Sequence, residues 1–187
     1  MTESKNTAAQ SAAARWRSIL PRPVQAQTAT GAFHIQPGTA VLVDPETPEL
    51  IAAGKTLSDW LSPAAGRPLP VTAGSQPRAG QILLALRPED TALGVEGYTL
   101  TVAPDTILLT AHQPNGIRMG LQTLRQLLPP ELEGGVLPEG GVEIQAGTIR
   151  DYPRFAWRGL MLDVARHFLQ AADVKKLIDL AGLYKLN

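Results

Sequence analysis

An apolar run from Phe155 to Val164, followed by a helix-forming segment, is the feature that most limits what this chain can fold into. The run lacks the strict alternation of apolar and polar residues, as expected for a strand covered on both faces. After the short polar turn Ala165–His167, apolar residues recur at helical spacing between Ala172 and Leu186, namely Val174, Leu177, Ile178, Ala181 and Tyr184. The pattern therefore predicts one strand–helix (βα) unit.

This βα unit is predicted to lack a pairing partner. A parallel strand needs a neighbour for its backbone groups, and that neighbour normally arrives after the crossover helix. The sequence stops at Asn187, where the next strand would begin. We therefore expect a truncated unit that exposes an apolar strand and an apolar helix face.

The residues before this unit have a different pattern, in which short strand signals and two helix signals are linked by hairpin-length connections. This organisation predicts an α+β domain with a mainly antiparallel sheet and two helices. The predicted strands are Ala32–Ile35, Thr39–Val43, Leu69–Thr72, Gln81–Leu86, Tyr98–Val102, Thr106–Thr110 and Val142–Ile149. The predicted helices are Pro48–Leu61, with Thr47 as N-cap, and Asn115–Leu128, which Pro129 ends.

Charge and composition limit the partners and cofactors of the chain. Seventeen Lys and Arg residues balance seventeen Asp and Glu residues, which gives no electrostatic case for nucleic acid or an anionic membrane surface. There is no cysteine, so disulfides and thiolate sites are excluded. The three histidines, His34, His112 and His167, show no metal-ligand spacing. We therefore expect neither a metal nor a cofactor.

The N-terminal residues are rich in Ala, Ser and Thr and lack the continuous apolar region of a secretion signal. We expect a disordered tail over residues 1–17.

No stretch of the sequence approaches the roughly twenty apolar residues that cross a bilayer. The location of the protein is left open, with the cytoplasm as the default.

One segment carries a specific family resemblance. Residues Asp151–Phe168, DYPRFAWRGLMLDVARHF, resemble the opening of the catalytic barrel of glycoside hydrolase family 20, and Val174–Asn187 is similar to the first helix of that barrel. Glu96–Leu100 and Gly116–Leu128 are similar to the N-terminal accessory domain of the same family. The resemblance implies an accessory domain at 18–150, followed at 151–187 by the first βα unit of a truncated TIM (β/α)8 barrel.

The resemblance also implies an activity. Members of this family are retaining β-N-acetylhexosaminidases, which release terminal β-linked N-acetylglucosamine or N-acetylgalactosamine from glycans and are often exported. The 2-acetamido oxygen of the substrate attacks the anomeric carbon, while a Glu acts as general acid/base beside an orienting Asp. In this family the Asp-Glu pair follows a later strand, beyond Asn187. We therefore expect a chain that is inactive alone and needs the remainder of the barrel as its partner.

Arg166 is the strongest site candidate, because it follows the first predicted barrel strand, and barrel enzymes gather their active sites at the carboxyl ends of strands. The resemblance implies that Arg166 binds sugar hydroxyls, which suit a guanidinium fork. Asp163 is predicted to support Arg166 or a backbone amide rather than to act as an acid. His167 is predicted to pack or to donate a hydrogen bond. Ala165 stands where relatives often carry Ser.

Two alternatives remain open. The first domain could be a non-catalytic module with weak glycan contact, or an accessory domain from another glycosidase family.

The aromatic residues Trp60 and Trp157 are predicted to lie in the core rather than to stack on sugars. The carboxylate pairs Glu89–Asp90 and Asp44 with Glu46 are predicted to be solvated turns.

Overall fold

The computed structural model describes residues 12–138 and 141–187. It divides into two compact units, the first ending at Tyr152 and the second spanning Pro153–Asn187.

The first unit contains a seven-stranded mixed sheet within the described part of the chain. The strands are β1 (Gln25–His34), β2 (Ala40–Asp44), β3 (Val71–Ala73), β4 (Gln81–Leu86), β5 (Tyr98–Val102), β6 (Thr106–Ala111) and β7 (Glu143–Asp151). Their order across the sheet is β1-β7-β5-β6-β4-β2-β3. The predicted bounds of β4 and β5 coincide with those of the structure.

Half of the strand pairings are parallel, so the prediction of a mainly antiparallel sheet is wrong. β2 runs parallel to both β3 and β4, and β4 runs parallel to β6. The predicted β5–β6 hairpin is antiparallel, as are the pairings of β7 with β5 and with β1. The parallel pairing of β2 with β3 arises because an intervening helix returns the chain to the same end of the sheet.

Two helices, α1 (Pro48–Ala65) and α2 (Pro114–Leu127), pack against the sheet. α1 begins where the sequence predicts, with the amide of Leu50 donating to the Thr47 hydroxyl at 3.3 Å. It continues past the predicted end to Ala65 and is capped by Gly66, which adopts a left-handed φ of 72°. Pro63 lies within this extension and lacks the N–H that would donate to the carbonyl of Asp59, four residues earlier. The hydroxyl of Ser62 donates to that carbonyl instead.

Residues 12–17 are helical, whereas the sequence predicts a disordered tail up to residue 17. Trp16 and Ile19 are 5% and 2% exposed and belong to the core. The Arg15 guanidinium donates to the carbonyls of Leu127 at 2.8 Å and Glu143 at 3.2 Å. Burial of the two apolar side chains stabilises a helix that would be too short to form alone. Residues 1–11 of the predicted tail lie outside the described residues.

A buried polar network ends the first unit. The Tyr98 hydroxyl lies 2.5 Å from the Thr123 hydroxyl and donates to the Asp151 carboxylate at 3.0 Å. The same carboxylate accepts from the amide of Val24 at 3.2 Å. Burial, reinforced by the Asp151 charge, raises the pKa of Tyr98 far above its usual range. The network therefore joins β5, α2 and the end of β7, directly before the second unit.

The second unit contains one helix, α3 (Ala171–Leu183), among its described residues. No strand forms over Phe155–Val164, so the prediction of a strand there is wrong for this chain. The physical reason is that no neighbouring strand is present among the described residues of this unit to satisfy its backbone groups.

Replacing Tyr98 with Phe tests the buried network. We expect the free energy of unfolding to fall by about 1–3 kcal/mol, because the Asp151 carboxylate and the Thr123 hydroxyl both lose the Tyr98 hydroxyl as a buried partner. The folded state holds the phenol proton more tightly than the unfolded chain, so stability should decline as pH rises above about 10, and Tyr98→Phe should weaken that decline. Urea denaturation at several pH values measures both effects. Tyr152→Phe, at a 41% exposed tyrosine, is the control. Equal free energies of unfolding for the two variants at every pH would show that the buried hydroxyl of Tyr98 does not stabilise the fold.

Replacing Gly116 with Ala tests the close approach of α2 to the sheet. A Cβ at this position would overlap the backbone carbonyl of Gly97 and the side chain of Ala111. We expect a loss of about 1–3 kcal/mol in the free energy of unfolding, as for other overpacked cores. Gly38→Ala is the matched control, since a Cβ there meets nothing within 4 Å. Equal denaturation midpoints for the two variants would show that α2 lies further from the sheet.

Candidate functional site

Asp163 organises the turn that contains Arg166. Its Oδ1 accepts from the backbone amides of Ala165 at 2.9 Å and Arg166 at 3.3 Å. Its Oδ2 lies 3.0 Å from the Nε atom of Arg166. A carboxylate that bonds to the amides two and three residues ahead closes a tight local turn. One side chain therefore shapes the backbone and also holds the inner edge of the guanidinium.

The Arg166 side chain is 85% exposed, although its Nε atom is paired with Asp163. A guanidinium carries five N–H donors in a planar fork, so a pair made through Nε leaves the terminal nitrogens facing outward. The arrangement can donate hydrogen bonds to neighbouring hydroxyls or to an anion. An ion pair this exposed contributes little to stability.

His167 follows Arg166 and is exposed. Within residues 153–187 no hydrogen bond or ion pair connects it to Asp163 or to Arg166. The structure thus brings Asp163 and Arg166 together and leaves His167 outside their contact.

The second unit exposes many large apolar side chains. Trp157 is 86% exposed, so the prediction that it lies in the core is wrong in this chain. The other exposed large apolar residues of the unit are Phe155, Leu160, Met161, Leu162, Val164, Phe168, Ile178, Leu180 and Tyr184. Large exposed apolar patches on a folded protein commonly mark sites of interaction.

The candidate groups of the first unit have structural partners. Asp44 forms an ion pair with Arg87 at 3.2 Å. Trp60 packs against the core, as predicted, and the guanidinium of Arg125 lies 5.1 Å from its ring centroid. Arg125 also forms two bonds of 2.6 Å with Glu133, which lower the pKa of that carboxyl. The sequence did not indicate this cluster, because its members are separated along the chain.

Residues 12–138 and 141–187 contain no group of three or more His, Asp or Glu side chains placed to hold a metal ion. None of their helices combines the length and apolar content that crossing a bilayer demands.

Comparison with known proteins places the chain among the glycoside hydrolases. Residues 17–152 match the model described as glycosyl hydrolase family 20, domain 2, and residues 155–187 match the model of the family 20 catalytic domain. The first match alone covers well over half of the chain. The chain therefore belongs to glycosyl hydrolase family 20.

Individual relatives agree with this assignment. The chain is 36% identical over 172 residues to a β-N-acetylhexosaminidase of Cellulomonas fimi, covering 91% of this chain and 33% of that protein. It is similar to the solved β-N-acetylhexosaminidase of Streptomyces coelicolor A3(2), with a TM-score of 0.80 and 40% identity over 90% of this chain and 33% of that one. It is also similar to an exo-β-N-acetylglucosaminidase of Vibrio harveyi solved with N-acetylglucosamine, with a TM-score of 0.72 and 28% identity over 92% of this chain and 25% of that one. The chain thus spans a third or less of the length of these relatives.

The exposed aromatic residues of the second unit predict where a protease cuts first. Chymotrypsin should cleave after Phe155, Trp157 or Phe168, which are all more than two-thirds exposed, before it cleaves after Tyr98 or Phe33, which are both 1% exposed. Mass spectrometry after brief digestion identifies the sites. Resistance of the second unit equal to that of the first would contradict the exposed arrangement.

Proposed function

We propose that these residues are the accessory domain, at 18–150, and the opening of the catalytic barrel, at 151–187, of a β-N-acetylhexosaminidase. The match of residues 155–187 to the family 20 catalytic domain carries the proposal. The substrate class is glycans that end in β-linked N-acetylglucosamine or N-acetylgalactosamine. The names of the Cellulomonas and Streptomyces relatives support this class.

The proposed reaction retains configuration at the anomeric carbon. The acetamido oxygen of the substrate attacks that carbon, and an enzyme carboxyl group protonates the leaving oxygen and then activates water. We place both carboxylates of this chemistry, the general acid/base Glu and the orienting Asp, in a part of the barrel that these residues do not include. The catalytic-domain match here covers only 33 residues, from 155 to 187.

The proposed contribution of this chain is to hold the terminal sugar. Arg166 donates hydrogen bonds from its outward-facing fork to two neighbouring hydroxyls of that sugar. Asp163 supports it by fixing the turn and by occupying Nε, which orients the guanidinium plane. Charge-assisted hydrogen bonds of this kind are stronger than neutral ones and are directional. His167 supports the same rim by packing or hydrogen bonding in the complete barrel.

The remaining barrel is the proposed partner of the second unit. A (β/α)8 barrel buries each strand between two neighbours and beneath its helices. The exposed Trp157, Met161 and Phe168 side chains supply apolar area for such burial. Their exposure supports a unit whose apolar side chains become covered only within the whole catalytic domain.

The first test is hydrolysis. The 187-residue chain should not cleave a chromogenic N-acetyl-β-glucosaminide, because the acid/base carboxylate of the reaction is absent from it. A hybrid that joins residues 1–187 to the remaining part of the Streptomyces coelicolor enzyme should cleave it. Turnover by the 187-residue chain alone would contradict the proposal that both catalytic carboxylates lie outside these residues. A folded but inactive hybrid would contradict the proposed activity.

The second test concerns Arg166 in that hybrid. Arg166→Lys keeps the charge and loses the fork, so we expect kcat/KM to fall by about 10- to 100-fold. Arg154→Lys, at an exposed arginine before the predicted strand, is the matched control and should change kcat/KM by less than about twofold. Equal values for Arg166→Lys and the control would show that Arg166 does not bind the sugar. Saturable sugar binding by residues 1–152 alone would instead favour a non-catalytic glycan-binding module.

A further inference from the structure

The start of the second unit is joined to the residues after α3 by a compact hydrogen-bond network. The backbone carbonyl of Arg158 accepts from the amide of Asn187 at 3.1 Å, and the amide of Arg158 donates to Asn187 Oδ1 at 2.9 Å. Asn187 Nδ2 donates to the carbonyl of Ala156 at 2.7 Å. Segments separated by about thirty residues of chain therefore meet side by side.

The Arg158 side chain extends the same network. Its Nε donates to the carbonyl of Lys185 at 2.9 Å, and its Nη1 donates to the carbonyl of Phe155 at 2.7 Å. A cation at this position also satisfies the carbonyl-rich C-terminus of α3. Arg158 is half-buried, whereas Arg154, four residues earlier, is exposed.

The backbone at Lys185 adopts an unusual conformation that fits this contact. Lys185 has a φ of 60°, the only positive value among the described non-glycine residues, and it is 6% exposed. A left-handed residue other than Gly, Asn or Asp is strained and persists when its surroundings hold it. The Arg158 bond to the Lys185 carbonyl is such a restraint.

These contacts resemble one rung of a parallel strand pair. In a parallel ladder a residue accepts from the amide that follows its opposite residue and donates to the carbonyl that precedes it. The Asn187 amide makes the first of these bonds by donating to the Arg158 carbonyl. The Asn187 side chain accepts the second bond, from the Arg158 amide, in the place that the Lys185 carbonyl would take in a regular ladder. The pattern places Arg158 beside Leu186.

We infer that Arg158 and Asn187 are positioning residues that set the register between the first strand of the barrel and the chain that follows α3. The inference rests on the proposed placement of residues 155–187 at the opening of the barrel. A slip of one residue in a strand turns its side chains to the opposite face. The register therefore decides where Arg166, eight residues after Arg158, meets the rim.

Amide hydrogen exchange and NOE measurements on the labelled 187-residue chain test this inference. The amides of Arg158 and Asn187 should exchange more slowly than those of Trp157 and Gly159, and an NOE should connect Asn187 with Arg158. Arg158→Lys loses the fork and should speed exchange of the Asn187 amide by about tenfold. Arg154→Lys is the matched control and should leave that rate unchanged within about twofold.

Variants at Asn187 and Lys185 separate this role from general destabilisation. Asn187→Asp keeps the Oδ1 acceptor and should preserve the slow exchange of the Arg158 amide, whereas Asn187→Ala should abolish it. Lys185→Gly adopts the left-handed conformation without strain and should preserve the network.

Three results would overturn the inference. They are exchange of the Asn187 amide at the rate of an unstructured peptide, equal effects of Arg158→Lys and Arg154→Lys, and equal effects of Asn187→Asp and Asn187→Ala. No sugar enters these measurements, so an inactive hybrid enzyme would count against the proposed activity and leave the register result unchanged.

Discussion

A β-strand is stable only where neighbouring strands satisfy its peptide groups, and this requirement separates the two units of the chain. In the first unit, β7 has β5 on one side and β1 on the other, and the sheet they help to form buries its apolar face beneath α1 and α2. In the second unit, an equally apolar segment at Phe155–Val164 has no strand beside it among the described residues, and it stays irregular and exposed. The same preference for pairing produces order in one unit and an open surface in the other.

Local features of the first unit could be predicted from the sequence, because they depend on neighbouring residues. The alternation in Tyr98–Val102 and the Thr47–Pro48 helix start both specify their elements within a few positions. The direction of pairing could not be predicted, since it depends on which strands become neighbours after the chain has crossed the sheet. The helical residues 12–17 escaped prediction for a similar reason, because Trp16 is ordered by a core assembled from distant segments.

The contacts of the second unit show the same difference between neighbouring residues, which the sequence indicates, and distant ones, which it does not. The contact of Asp163 with Arg166 spans three residues, and the sequence motif was enough to indicate it. The contacts of Arg158 with Asn187 and Lys185 cross α3, and no local pattern reveals them. The exposure of Trp157 was also missed, because an apolar run indicates burial without showing whether the covering elements are present. The proposal that residues 151–187 open a catalytic barrel accounts for what would cover it, namely the other strands and helices of such a barrel.

Hydrogen exchange across residues 159–164 tests the central claim most directly, since these residues are proposed to be a barrel strand that lacks its neighbours. In the 187-residue chain their amides should exchange nearly as fast as those of an unstructured peptide. In the hybrid with a complete barrel the same amides should be among the slowest in the protein. Slow exchange in the chain alone, or fast exchange in a folded and active hybrid, would contradict the account.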